Sequence, residues 1–195
     1  MRILTLLILT IFFFILCENP LNWSEVSDGI RFRLWTDKSI YQDGEDIWLY
    51  VEFENVGPES RVILVSAKQD QLPEEAPLYD IGILITRFKR SDNDKTFKIY
   101  PILSNMWYVD PDLLKLQPGK KYQEKTKLNS GHWRHQRESF SYLESGKYTL
   151  QAIYKWDELP YPSPERENQL EQLGAPLWQG YLESNKITIT VISWD

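Results

Sequence analysis

The chain has 195 residues, the length of one domain or at most two small ones, and its 42% hydrophobic and 14% aromatic content is enough for a folded core. The 28 acidic residues outnumber the 22 Lys and Arg, and the resulting net charge of −6 disfavours binding to nucleic acid and attraction to an anionic membrane surface. One Cys excludes an internal disulfide framework, and two His leave little for metal or acid–base chemistry, so we expect no cofactor and no metal.

The N-terminus has the pattern of an export signal. Arg2 is followed by an apolar run over residues 3–16 that contains nothing more polar than two threonines. Such a run has the length of the hydrophobic region of a signal peptide, and it is shorter than the roughly 20 residues that a membrane-spanning helix needs. The sequence therefore predicts that residues 1–17 are a signal peptide.

Cys17 stands where this apolar run ends. The position resembles the lipobox of bacterial lipoproteins, in which the cysteine becomes the first residue and carries diacylglycerol. The resemblance implies a lipid anchor on Cys17 and a place in a bacterial cell envelope, at the outer membrane or in the periplasm. An alternative stays open because Leu16 is not the small residue of the usual pattern. An ordinary signal peptidase would then remove Cys17, although no A-x-A-like site lies between Leu16 and Asp28.

Residues 18–28 are predicted to be a polar tether, and residues 29–195 one domain. Apolar and polar residues alternate with period two in several short segments, and turn-forming Gly, Pro, Asn and Asp separate them. This pattern predicts strands over residues 30–35, 47–54, 61–66, 81–88, 96–100, 122–128, 146–154 and 186–193.

One short helix is predicted near residues 165–173, with a start at Ser163 and Pro164 and a stop at Gly174. Seven or eight short strands without alternating helices favour an all-β antiparallel sandwich. In the last strand, we expect Ile187, Ile189 and Val191 to point inward, against the face of Tyr148, Leu150 and Ala152. The last strand should pair antiparallel with the strand over residues 146–154.

Four segments together resemble the immunoglobulin-like sandwiches of bacterial envelope proteins, including the BsuPI type of proteinase-inhibitor domain. They are residues 36–47 with the strand ending at 54–57, the turn 116–119, the strand 145–152, and residues 178–185 before the last strand. The resemblance implies an immunoglobulin-like fold. Inhibitor activity does not follow from it, because many unrelated functions use this scaffold.

Catalytic and metal-binding patterns are weak. His132 and His135 are three residues apart, but no helix is predicted there, and on a strand they face opposite sides. No G-x-S-x-G motif is present. Asp110 with Asp112, and Glu74 with Glu75, are carboxylate pairs by residue type only. The sequence therefore predicts a protein that is not an enzyme.

Aromatic residues are in excess, with eight Trp and eleven Tyr. We expect Trp35, Trp48 and Tyr148 to fill the space between the sheets. Other rings lie in segments predicted to be loops, where they can contact a sugar or a protein partner. These candidate contact residues are Trp107, Tyr108, Trp133, Tyr161 and Trp178.

The sequence thus predicts an exported, lipid-anchored envelope protein that acts as a binding or structural module. Its membrane contact would be the lipid anchor, its protein or carbohydrate partner is not specified, and no nucleic acid is expected. The alternative is a secreted β-sandwich, similar to a proteinase inhibitor or a carbohydrate-binding module, that uses the loop aromatics.

Overall fold

A computed structural model describes residues 22–65, 85–91, 96–99, 111–128, 133–135, 138–140, 143–159 and 162–193 of the chain, with backbone only at some strand positions. These residues form mainly β-structure with one helix. The elements are β1 Ile30–Thr36, β2 Ile40–Gln42, β3 Trp48–Asn55, β4 Arg61–Val65, β5 Ile85–Arg90, β6 Thr96–Ile99, β7 Asp112–Leu116, β8 Lys121–Lys127, β9 Trp133–His135, β10 Glu138–Phe140, β11 Gly146–Trp156, α1 Pro164–Leu173, β12 Gly180–Glu183 and β13 Ile187–Ile192.

The strands form two main sheets and two short pairs. The first sheet has the order β1-β3-β8, and the second has the order β2-β13-β11-β5-β6 with β12 also paired to β11. The pairs are β4 with β7 and β9 with β10. Among the strand pairs that the structure describes, β2 runs parallel to β13 and the others are antiparallel. The protein is an all-β antiparallel sandwich with a short helix, as the sequence predicts.

The strand order is that of an immunoglobulin-like fold. β1, β3 and β8 take the places of strands A, B and E in one sheet, and β13, β11, β5 and β6 take those of G, F, C and C′ in the other. Tyr148 lies near the start of β11, and its hydroxyl donates 2.7 Å to the carbonyl of Glu144, four residues upstream. This contact has the form of the tyrosine corner at the start of strand F.

The core between the sheets is built from inward-facing residues, which alternate with outward-facing ones along the strands. In β1, Ile30, Phe32 and Leu34 are fully buried and the residues between them are partly exposed. A line of rings crosses the interior: Phe32 stacks on Phe53 with centroids 5.5 Å apart, Phe53 meets the edge of Tyr154 at 4.9 Å, and Tyr154 stacks on Trp178 at 5.0 Å.

The prediction for the last strand is confirmed. β13 pairs antiparallel with β11, and Ile189 lies opposite Tyr148. Ile189 and Val191 are buried, Ile187 is partly buried, and Thr188 is exposed. β13 is an internal strand, because β2 covers its other edge.

Two turns meet at Asn55. This buried side chain donates 2.8 Å to the carbonyls of both Glu59 and Leu116, and its Oδ1 accepts 2.9 Å from the N–H of Gly57. Its backbone carbonyl accepts from Gly119 at 2.7 Å. The Asn-x-Gly and Pro-Gly segments that carry the family resemblance therefore hold the ends of β3 and β7 together.

The number of strands is a correction. The sequence predicts seven or eight, whereas the described residues contain thirteen; the five that it did not predict (β2, β7, β9, β10 and β12) have only three to five residues each. Alternation is hard to read over so few positions. The predicted strand over residues 81–88 corresponds to β5, which starts at Ile85, and residues 81–84 lie outside the described part.

The predicted helix is confirmed and begins at Pro164. The Ser163 side chain accepts from the N–H of Arg166, and Gly174 ends the helix with φ +58°. This is the left-handed conformation that Gly adopts most readily at a helix C-terminus.

The segment over residues 22–28 packs on the sandwich, although the sequence predicts a tether as far as Asp28. Ser24 N–H donates 2.8 Å to the carbonyl of Phe32, and Ser27 forms an antiparallel bridge with Ile30. The indole N–H of Trp178 donates 2.8 Å to the carbonyl of Ser27. The folded body therefore includes the segment from Trp23 to Asp28.

Candidate functional site: an aromatic and cationic sheet face

The outward side of the first sheet carries a cluster of cations and aromatic rings. Because side chains alternate along a strand, the residues between the buried positions of β1 and β3 point away from the core. Strand register sets Arg31 opposite Glu54, Arg33 opposite Glu52, and Trp35 opposite Tyr50, and β8 adds Lys121, Gln123 and Lys125 beyond them. We call this surface the aromatic–cation face; it comprises Trp23, Arg31, Arg33, Trp35, Trp48, Tyr50, Glu52, Glu54, Lys121, Gln123 and Lys125.

Two carboxylates lie among the cations of this face. Glu54 Oε2 is 2.7 Å from Arg31 Nη2, and Glu52 Oε1 is 3.1 Å from Arg33 Nη2 and 3.3 Å from Lys121 Nζ. Directly opposed charges of this kind stabilise a sheet modestly. The cations outnumber the carboxylates, so the aromatic–cation face is positive on a chain whose net charge is negative.

Cations also contact the aromatic rings of the face. The Trp23 ring centroid is 4.4 Å from Arg31 Cζ, 4.6 Å from Arg33 Cζ and 5.1 Å from Lys121 Nζ. Lys125 Nζ is 4.1 Å from the centroid of Trp48. These distances are within the range of cation–π attraction.

The remaining two rings of the face pair with each other across the strands. Trp35 and Tyr50 stack with centroids 5.6 Å apart and planes 14° apart. Arg33 also lies over Trp35, at 5.3 Å. Each ring of the face therefore has a cation or another ring against it.

Titratable groups with perturbed pKa values in the body have structural roles. Burial raises the pKa of the Tyr154 phenol, whose hydroxyl accepts 2.9 Å from the N–H of Leu64 and donates 3.1 Å to its carbonyl. The hydrogen bond from Arg61 lowers the pKa of Asp28. Burial, with the charges of Glu124 and Asp112, raises the pKa of Tyr122 to about 12. Of these groups, Tyr154 and Asp28 hold neighbouring segments together.

Trp178 is a correction among the predicted contact residues. It is fully buried between Tyr154 and the Ser27 carbonyl, and it therefore belongs to the core. Its position just after the helix resembles a loop in sequence, but a parallel bridge between Leu177 and Val62 in β4 draws the segment inward.

The other predicted site residues cannot be compared in the same way. Cys17, Trp107, Tyr108, Tyr161 and His132 lie outside the described residues, as do the predicted carboxylate pairs except for Asp112 in β7. The backbones of Trp133 and His135 are in β9, and their side chains are outside the described part.

Sequence reasoning missed the aromatic–cation face. Trp35 and Trp48 were expected in the core, but they are only partly buried and lie on the outward side. The sequence of β1 already indicated this, because Trp35 alternates in step with Arg31 and Arg33 and therefore shares their side of the strand. Phe32 and Leu34 lie on the opposite side. Tyr148 is buried as expected.

Within the described part of the chain, no group of three or more His, Cys, Asp or Glu side chains is arranged to hold a metal ion. Among the same residues, none of the helical structure has the length and apolarity required to cross a bilayer.

Comparison with known proteins adds no assignment. No protein-family model matches the chain, and no curated protein matches it. The chain is similar to a solved structure described as "AvmM Catalyzes Macrocyclization in Alchivemycin A Biosynthesis", with 11% identity and a TM-score of 0.36 over 89% of this chain and 97% of the other. This likeness is too low to carry an argument about fold or activity.

Proposed function

We propose that the protein is an exported component of a bacterial cell envelope, anchored by a lipid on Cys17, and that its sandwich is a non-enzymatic binding or structural module. The observation that carries the proposal is the packing of residues 22–28 on β1. An ordinary peptidase that cut within this segment would remove folded contacts such as Ser24 with Phe32. The packing of this segment therefore favours cleavage of the signal peptide before residue 22, and Cys17 is the position there that resembles a lipoprotein processing site.

The internal polar groups of the body support a module without catalysis. The Asn185 side chain donates a 2.9 Å hydrogen bond to the carbonyl of Leu34 and accepts a 2.8 Å hydrogen bond from its N–H. It therefore makes the backbone hydrogen bonds that a neighbouring strand would otherwise make. Ser184 accepts from the N–H of Ala152 in the same manner. Asn55 and Tyr154 likewise bind backbone groups. These side chains hold the scaffold together by satisfying buried backbone groups.

A secreted sandwich that binds carbohydrate or inhibits a proteinase is the alternative. It depends on Trp107, Tyr108 and Tyr161, and on Trp133, whose backbone lies in β9, because Trp178 is buried. The rings of the aromatic–cation face do not favour it, since cations and neighbouring rings already contact them. Lipid modification distinguishes the two functions, because the alternative requires a protein that diffuses freely.

Metabolic labelling with a radioactive fatty acid tests the proposal. The native protein should incorporate the label and Cys17→Ser should not, because the thioether to diacylglycerol needs the thiol, and each buried CH₂ of an acyl chain contributes about 0.8 kcal/mol to membrane affinity. Thr10→Ser, within the apolar run, is the matched control and should incorporate the label as the native chain does. Equal incorporation by Cys17→Ser and the native chain would contradict lipid anchoring.

A further inference from the structure

We propose that the aromatic–cation face lies against the anionic surface of the membrane that anchors the chain. The proposed occupant of the face is a layer of phospholipid headgroups. The inference deepens the proposed function and rests on it for the anchor. Three independent features of the described residues carry it: local charge, the position of the N-terminal segment, and the type of ring on the face.

Charge is the first feature. The chain carries −6, and this balance by itself disfavours an anionic membrane. The aromatic–cation face differs, because Arg31, Arg33, Lys121 and Lys125 share it with only Glu52 and Glu54. Basic residues near an anionic surface are attracted to it over about one Debye length, roughly 10 Å. The excess of cations on this face should therefore attract it to such a surface. Exposed lysines such as Lys89 and Lys147 also lie on the second sheet, so the choice between the two faces rests on the next two features.

The path of the chain is the second feature. Trp23 lies over Arg31, Arg33 and Lys121, so the N-terminal segment reaches the sandwich on the aromatic–cation face itself. A fully extended chain advances at most about 3.6 Å per residue, so Trp23 stays within about 22 Å of residue 17. A lipid on Cys17 therefore keeps the aromatic–cation face, where the N-terminal segment arrives, close to the headgroups.

The chemistry of the rings is the third feature. Trp and Tyr concentrate where a membrane meets water, because their rings are amphipathic. Here Trp23, Trp35, Trp48 and Tyr50 lie on the same face as the cations, and all four are partly buried. Cations contact these rings, so amphipathic rings and basic groups lie together on one face, and both kinds of group favour a membrane interface.

Site-specific quenching tests the orientation in the full-length, lipidated chain. The lipid blocks the thiol of Cys17, so a fluorophore attaches to one introduced cysteine. One variant carries Gln123→Cys on the aromatic–cation face, and the matched control carries Lys147→Cys on β11; both positions are exposed. Each protein is reconstituted in vesicles of phosphatidylglycerol and phosphatidylcholine that contain a nitroxide-headgroup lipid.

The fluorophore at residue 123 should be quenched several-fold more than the one at residue 147. The difference should shrink in vesicles of phosphatidylcholine alone and at about 1 M salt, where the Debye length is about 3 Å. The difference in quenching should disappear when the Gln123→Cys chain also carries Lys121→Glu and Lys125→Glu. The strong quenching at residue 123 should persist when that chain instead carries Lys147→Glu and Lys186→Glu. If the first pair lowers the thermal midpoint, Lys125→Gln alone should still reduce the difference.

Equal quenching at residues 123 and 147 would overturn the proposal. The proposal would also be overturned by self-quenching at residue 123 that increases with protein density and does not depend on lipid charge. Such a result would place a second copy of the chain on the aromatic–cation face. Failure of the anchor has a different signature: mass spectrometry would then find a second fluorophore, on Cys17, or a chain that lacks residue 17.

Discussion

Two groups of aromatic residues in the same sandwich have different surroundings. Phe32, Phe53, Tyr154 and Trp178 lie between the sheets, where they contact one another and where the polar atoms of Tyr154 and Trp178 bind backbone groups. Trp23, Trp35, Trp48 and Tyr50 lie on the outward side of the first sheet, where cations contact their rings. The first group builds the core, and we assign the second to the membrane surface.

For the rings that lie in strands, strand parity decides to which group each belongs, whereas Trp23 and Trp178 lie outside the strands. In β3, Phe53 points inward and Tyr50 points outward, although both side chains are large and aromatic. An excess of Trp and Tyr in a composition therefore says nothing about location until each ring is assigned to a face. Mutations that separate the two groups test this comparison directly.

The largest expected effect is in the core ring line. Phe53→Ala should lower the free energy of unfolding by about 3–5 kcal/mol, because it removes a fully buried ring and leaves a cavity. Tyr50→Ala on the same strand should cost much less, since Tyr50 is partly exposed and its stacking on Trp35 contributes about 0.5–1.5 kcal/mol. Urea unfolding measures both. Equal losses would show that parity does not separate the groups.

The last strand offers the same contrast with aliphatic and polar residues. Ile189→Ala should cost about 2–5 kcal/mol, because Ile189 is fully buried. Thr188→Ala, one residue earlier and exposed, should stay within about 0.5 kcal/mol. A large loss for Thr188→Ala in thermal or chemical unfolding would mean that the outer side of β13 is covered in solution.

Tyr154 tests the polar part of the core. Tyr154→Phe keeps the ring and removes both hydrogen bonds to Leu64, so the buried backbone of β4 loses its partner at a cost of about 1–3 kcal/mol. Tyr181→Phe is the matched control, because Tyr181 is 48% exposed and should change stability by less than about 0.5 kcal/mol. Unfolding by denaturant compares them, and a neutral Tyr154→Phe would show that β4 is held by other contacts.

The smallest effect concerns the outward rings. A double-mutant cycle between Trp48→Leu and Lys125→Met should give a coupling of about 0.5–1 kcal/mol, the size of an exposed cation–π contact. Because these changes leave the core intact, the folded state should persist in both single variants. A coupling indistinguishable from zero would show that Lys125 does not hold its place over the ring.

Much of the sandwich was predictable because its main strands alternate over six or more residues. β1, β3, β11 and β13 all have inward positions that the sequence identifies. Five short strands (β2, β7, β9, β10 and β12) were not predictable, because backbone pairing with other segments defines them. β2, for example, pairs with β13, which lies near the other end of the chain.

The candidate site was the harder part to predict. The aromatic–cation face joins residue 23 with residues from three strands, and only pairing brings Lys125 next to Trp48 and Tyr50. Trp178 shows the opposite difficulty, because a turn-rich segment delivers it to the core. Proximity along the chain carried little information in either case.

The mass of the mature protein isolated from membranes tests lipid anchoring. We expect an N-terminus at Cys17, with the added mass of diacylglycerol on that residue, and we expect the chain to retain the segment that packs on β1. An unmodified chain that begins beyond residue 17 would contradict lipid anchoring, and with it the reason for a basic and aromatic face beside the N-terminus.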